Sequence, residues 1–202
     1  MSHFSSGQLN QLGNALEAAD WTTDDVTRLG QSGKDRLTQI RLSLVYLRPL
    51  FTFKLGATDG KAITEAARAV FPGYFDPEFE KQGIVFSGIA PETELLAEEL
   101  VQNGKFSDFL GNTAAEIEKR RLLGSQFLAI CRDNPKKLRG EGRANFFVLT
   151  KGDEKVAEDL SNVFVAGARF GDFGPLRAFL LAFRYAYVWD GGPWLRFFSP
   201  QQ

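Results

Sequence analysis

The last third of the chain is the part whose fold is most narrowly constrained. Residues 145–150, 163–170, 176–183 and 195–199 are short runs rich in aromatic and branched side chains. Between them lie Lys151-Gly152-Asp153, Gly171-Asp172-Phe173-Gly174 and Asp190-Gly191-Gly192-Pro193, all of which is turn chemistry. No gap has room for a crossover helix, so these strands are expected to pair antiparallel, as a meander of about four. In the run 176–183, Phe179, Leu181 and Phe183 share one face with Arg177, while Leu176, Leu180 and two alanines occupy the other. Both faces are apolar, so each needs a cover, and helices are expected on at least one.

The preceding two thirds read as helical. Leu9, Leu12, Leu16 and Ala19 recur at helical spacing over residues 5–19. Thr23 is placed to cap a second, short helix, with Asp24 and Asp25 favoured by its dipole and Gly30 near its end. A third is expected after Ser32, with Leu37, Ile40, Leu44 and Leu47 as its stripe and Pro49 as its stop. Residues 51–55 alternate like a short strand. Thr58 or Asp59 is expected to open a helix running to Val70, and Asp76-Pro77-Glu78 opens another that Gly83 closes. Residues 93–102 carry Leu95, Leu96, Leu100 and Val101 at helical spacing before an Asn103-Gly104 stop. Thr113 to Glu116 fits a capping box, and Ser125 is placed to cap a helix ended by Asp133-Asn134-Pro135. Residues 155–160 could form a single helical turn. The fold class is therefore α+β: helical N-terminal and middle segments packed on a C-terminal antiparallel meander. Residues 1–50 form a helical segment and residues 51–202 an α+β domain, unless the two are continuous.

Composition supports a packed core without cross-links. Hydrophobic residues are 44% and charged residues 24% of the 202, with 19 phenylalanines, one Cys and one His. A chain of this length buries enough surface to need no metal or disulfide, and rings with few rotamers favour a well-defined interior. Net charge is −1, so any polyanionic partner must be held by a local patch. Residues 1–11 are polar with no apolar signal core, and no apolar run reaches the ~20 residues that span a bilayer. A cytoplasmic location, with no membrane partner, is the expectation.

The stretch 101–112, Val-Gln-Asn-Gly-Lys-Phe-Ser-Asp-Phe-Leu-Gly-Asn, leads into residues 122–132, Leu-Leu-Gly-Ser-Gln-Phe-Leu-Ala-Ile-Cys-Arg. Residues 142–149 and 162–166 follow, then Val188-Trp189 and the end Phe197-Phe-Ser-Pro-Gln. Together with the leader at residues 15–31, this resembles a family of uncharacterised small proteins from candidate-phylum (Patescibacteria-type) bacteria. The resemblance covers most of the chain and is weakest over residues 50–87. It implies a cytoplasmic bacterial protein and carries no functional residue with it.

The residues restrict the available chemistry. His3 is the one histidine, so a Ser–His–Asp or Cys–His arrangement and a zinc site of Cys and His ligands have no material to form from. Cys131 lies on an apolar helix face and reads as a small hydrophobe. Glu92, Glu94, Glu98 and Glu99 cluster on one expected helix, and Glu116 and Glu118 on another. They could hold a hard cation or act as acid and base, or simply form a solvated face. Asp172-Phe173-Gly174 lacks every accompanying kinase element and reads as a turn. No cofactor, metal site or catalytic residue is expected.

Two features stand out as binding candidates. Eight basic residues fall between 119 and 143, and Arg132, Lys136, Lys137, Arg139 and Arg143 surround a turn-like stretch suited to phosphate, RNA or an acidic protein. The same charges would serve equally as a solubilising surface. Tyr185, Tyr187, Trp189 and Trp194 lie beside Gly191-Gly192-Pro193, with the mixed apolar and polar character of recognition surfaces or of a core edge. The leading expectation is a non-enzymatic binding protein with a protein partner. The alternatives are an RNA- or ribosome-associated protein using residues 132–143, and a cation-dependent hydrolase using carboxylates.

Overall fold

The computed structural model describes residues 5–33, 46–62, 64–140, 143–171 and 174–201. The chain divides into two compact units, residues 1–44 and 45–202. The helix expected after Ser32 falls outside the described residues, except that Leu47 belongs to a strand.

In the first unit, α1 (Ser6–Ala18) starts at Ser5, whose hydroxyl accepts from Gln8 N while the Gln8 side chain accepts from Ser5 N. α2 (Thr23–Gly30) starts one residue earlier than the sequence suggested. Thr22 is its cap, locked in a reciprocal pair with Asp25, because the third-position acid reaches back to Thr22 and not to Thr23.

The second unit is built on β1 (Leu47–Leu55), β3 (Tyr74–Phe75), β5 (Thr93–Leu100), β6 (Ala144–Thr150), β7 (Val163–Phe170), β8 (Leu176–Ala182) and β9 (Leu195–Pro200). They form one seven-stranded sheet in the order β1-β5-β9-β6-β7-β8-β3. A small second sheet pairs β2 (Thr58–Asp59) with β4 (Ile89–Ala90). The sheet is thus larger than a four-strand meander. β6, β7 and β8 do form the expected antiparallel series. β9 departs from it, inserting between β6 and β5, parallel to β6 and antiparallel to β5. Residues 183–194 are long enough to carry the chain back across two strands, which a count of tight turns does not reveal.

Residues 93–100 are a strand, not the expected helix. Leu95, Leu96 and Leu100 suit a helix stripe, but β5 lies inside the sheet, where alternation decides burial. Leu95 and Ala97 face one core and Leu100 the other. Thr58 and Asp59 likewise pair with Ala90 and Ile89, and the helix after them, α3 (Thr64–Val70), begins later. The helix expected at Asp76-Pro77-Glu78 is α4 (Glu78–Lys81), with Pro77 in the cap position one residue later than expected; Asp76 Oδ1 accepts from Glu78 N at 3.0 Å, and Gly83 ends that turn at φ +68°.

Strand alternation creates two cores, one on each face of the sheet. Phe147, Leu149, Phe164, Ala166 and Phe198 face the first, which α3, α4 and α7 (Gly124–Asp133) cover. Phe146, Val148, Val165 and Phe197 face the second, covered by α5 (Phe106–Leu110) and α6 (Ala114–Arg120). Helices therefore pack on both faces. α6 carries the expected Thr113–Glu116 capping box. In α7, Leu123 holds the cap position and Ser125 sits within the first turn; the Gln126 side chain accepts from Leu123 N at 3.0 Å.

Gly124 is where α7 meets residues 84–86. A Cβ built there would lie 2.1 Å from the carbonyl oxygen of Val85, a backbone atom with little freedom to retreat. Gly124→Ala is expected to destabilise the domain by about 1–3 kcal/mol through overpacking. A urea midpoint that does not move would show that this segment yields freely.

Candidate binding groove

On the second face, at one end of the sheet, strand register places three large polar side chains side by side. Arg169 pairs with Arg177 across β7 and β8, and Arg177 pairs with Tyr74 across β8 and β3. Phe179 and Leu181 continue the same face of β8. The end of the Phe179 ring occupies the space left by Gly167, its neighbour opposite: a Cβ there would fall 2.1 Å from the ring.

Residues 183–194 form the other wall. Mutual backbone hydrogen bonds between Gly104 and Trp189, at 3.0 and 2.8 Å, pin this stretch. The Trp189 ring packs on Phe146 and Phe106, with centroids 4.9 and 5.5 Å away. Tyr187 meets Trp189 edge-on at 4.8 Å, and Tyr185 stacks on Tyr187 at 6.2 Å and 24°. The result is a groove of about 380 Å³ with an apolar floor of Ala144, Phe179 and Leu181. Tyr74, Tyr185 and Tyr187 on its walls remain 47–50% exposed. The indole N–H of Trp189 is buried with no acceptor among the described residues. Arg169 and Arg177 are exposed, and neither has an ion pair with a described residue.

The expected basic segment is arranged differently. Arg132 binds Asp133 through two 2.7 Å contacts, which hold that carboxyl below its ordinary range. Lys137 lies 5.5 Å from the ring centre of Phe51, and Arg139 donates to Glu99 at 3.0 Å. Arg143 lies over Trp194 at 5.1 Å. Lys136 is exposed. Tyr185, Tyr187 and Trp189 line the groove; Trp194 and the basic residues of segment 132–143 are not among its lining. The two candidate features are therefore not one concave patch.

On the first face, a row runs across the sheet as Arg48, Glu99, Arg196 and Asn145. Glu99 is 5% exposed and receives Arg48 and Arg139. Arg196 lies 5.0 Å over Phe51, and burial, reinforced by the nearby Arg139 charge, lowers its pKa despite the opposing pull of Glu99. Glu98 points to the opposite face, paired to Arg120 at 2.7 Å. Adjacent strand positions thus separate two carboxylates that a helix would have kept close. No group of three or more His, Cys, Asp or Glu side chains able to hold a metal occurs among the described residues. Burial pushes the Cys131 thiol well up, as suits a packing residue. Among the described residues no helix is long and apolar enough to cross a membrane.

Sequence reasoning did not assign Tyr74, Arg169 or Arg177 to a site. The alternation that puts Arg177 on the face of Phe179 and Leu181 held the signal for one of them. Arg169 and Tyr74 needed the strand register. No family model, curated protein or solved structure matches the chain.

Proposed function

We propose that this chain is a binding protein whose recognition surface is the groove between β8 and residues 183–194. Its partner carries a flat ring or apolar edge beside negative charge. The observation behind this reading is the conjunction of exposed Tyr74, Tyr185 and Tyr187 with two guanidinium groups that no described carboxylate neutralises. Tyr and Arg together favour ligand contact, because rings offer area at low entropic cost and Arg offers a planar fork to anions. The basic segment on its own supports the reading less, since Arg132 and Arg139 already face carboxylates.

An aromatic sulfonate, 8-anilinonaphthalene-1-sulfonate, combines both chemistries and reports its own binding by fluorescence. The folded protein is expected to bind it saturably, and Arg177→Ala is expected to weaken binding about tenfold, the scale of one charge-assisted hydrogen bond. Tyr187→Ala should weaken it as well; Arg177→Ala should leave the melting temperature unchanged because that side chain is exposed, while Tyr187→Ala lowers it only by the loss of its contacts with Tyr185 and Trp189. Binding that is indifferent to both substitutions would refute the groove.

A further inference from the structure

The groove is one half of a larger arrangement. Asn145 pairs with Ala168, so the adjacent Ala144 and Arg169 lie at the same end of the sheet as the Arg48–Glu99–Arg196 row. Arg143 and Trp194 immediately precede β6 and β9 at that end, and their stack bridges the two levels. Six arginines, at positions 48, 139, 143, 169, 177 and 196, thus border one end of the sheet, Arg48 and Arg139 sharing the Glu99 carboxylate. Within the two rows Glu99 is the single carboxylate. From β1 to β8 the sheet runs five strand intervals, about 24 Å at ordinary strand spacing. Tyr74 and Trp194, 50% and 52% exposed, lie at that end, Trp194 under Arg143, and Tyr187 and Tyr185 carry the exposed rings back along the groove toward the other end of β8.

We infer that single-stranded nucleic acid lies along this end of the sheet, an inference that rests on the groove being the recognition surface. The ligand that matches has a charge on every unit and a flat face on every unit. A single nucleic-acid strand has both, and stacks its bases on aromatic rings while Arg contacts its phosphates. A duplex hides its base faces, and an acidic peptide offers charge without regular planar groups. The near-neutral net charge does not oppose this, because the local field at the sheet end governs the encounter.

The test is fluorescence anisotropy with short labelled oligouridylate and oligothymidylate, titrated at several salt concentrations. At least one is expected to bind at low salt, the tighter identifying the natural sugar. The log–log salt slope should fall by about 0.7 for each phosphate contact removed, by Arg177→Gln in the groove and by Arg48→Gln on the far face. Tyr187→Ala should weaken binding about tenfold while leaving the slope alone. Thermal melts accompany each variant, and Lys137→Gln substitutes for Arg48→Gln if that change lowers the melting temperature. No binding of either strand, equal affinity for duplex RNA, or displacement by oligoglutamate of equal charge would each overturn the inference. If sulfonate binding remains sensitive to Arg177→Ala while both strands fail, the groove stands and the nucleic-acid assignment falls.

Discussion

Replacing Glu99 with Gln is expected to cost about 3–5 kcal/mol, as breaking a buried ion pair from one side does. The side chain is isosteric, so packing is kept and only the charge is lost. Arg48 and Arg139 both donate to this carboxylate, and Arg196 is its register neighbour on β9. The Nε atoms of Arg139 and Arg196 are already buried without acceptors among the described residues, so the cluster is short of acceptors even with Glu99 in place. For a domain of this size the loss corresponds to a fall of roughly 6–20 °C in melting temperature. Glu92→Gln is the matched control. Its pair with Lys54 is open to solvent on both sides, and such pairs contribute about 0–1 kcal/mol. Equal, small effects of the two substitutions in thermal melts would show that the arginine cluster is solvated well enough to dispense with Glu99.

Phe147→Ala is the second large effect, again about 3–5 kcal/mol. The ring is 1% exposed, stacks on Phe198 of the parallel neighbour β9 at 5.1 Å and 7°, and meets Phe127 of α7 edge-on at 4.9 Å. Removing it opens a cavity where two strands and a helix meet, and net stability of domains is only about 5–15 kcal/mol. Phe179→Ala should lose much less. That ring is half-buried on the groove face, so its removal enlarges an existing depression instead of creating a void. Urea midpoints of the two variants give the comparison directly; a larger loss for Phe179 would mean the face assignments are reversed.

These two residues also show what the sequence could and could not convey. Strands at 145–150, 163–170, 176–183 and 195–199 were legible because aromatic and branched residues alternate between turns, and two apolar faces announced two covers. Residues 93–100 were not, because Leu95, Leu96 and Leu100 fit a helix as well as a strand buried on both sides. Only the Arg partners on each face make Glu98 and Glu99 tolerable inside a sheet. Of the groove, the Tyr185–Trp189 side was visible as composition. Its other side depends on which residues register brings abreast, and a parallel β3–β8 contact between residues 74 and 177 leaves no local trace.

The position of β9 has a consequence for how this protein comes off the ribosome. β1 and β5 form one wing of the sheet, and β6, β7, β8 and β3 another, and among the described residues no hydrogen-bonded ladder joins the wings except through β9. Every other strand is translated before it. Until residues 195–200 emerge and slot in, the nascent polypeptide holds two open seams, along β5 and along β6, each rich in apolar side chains and able to recruit a stranger's strand.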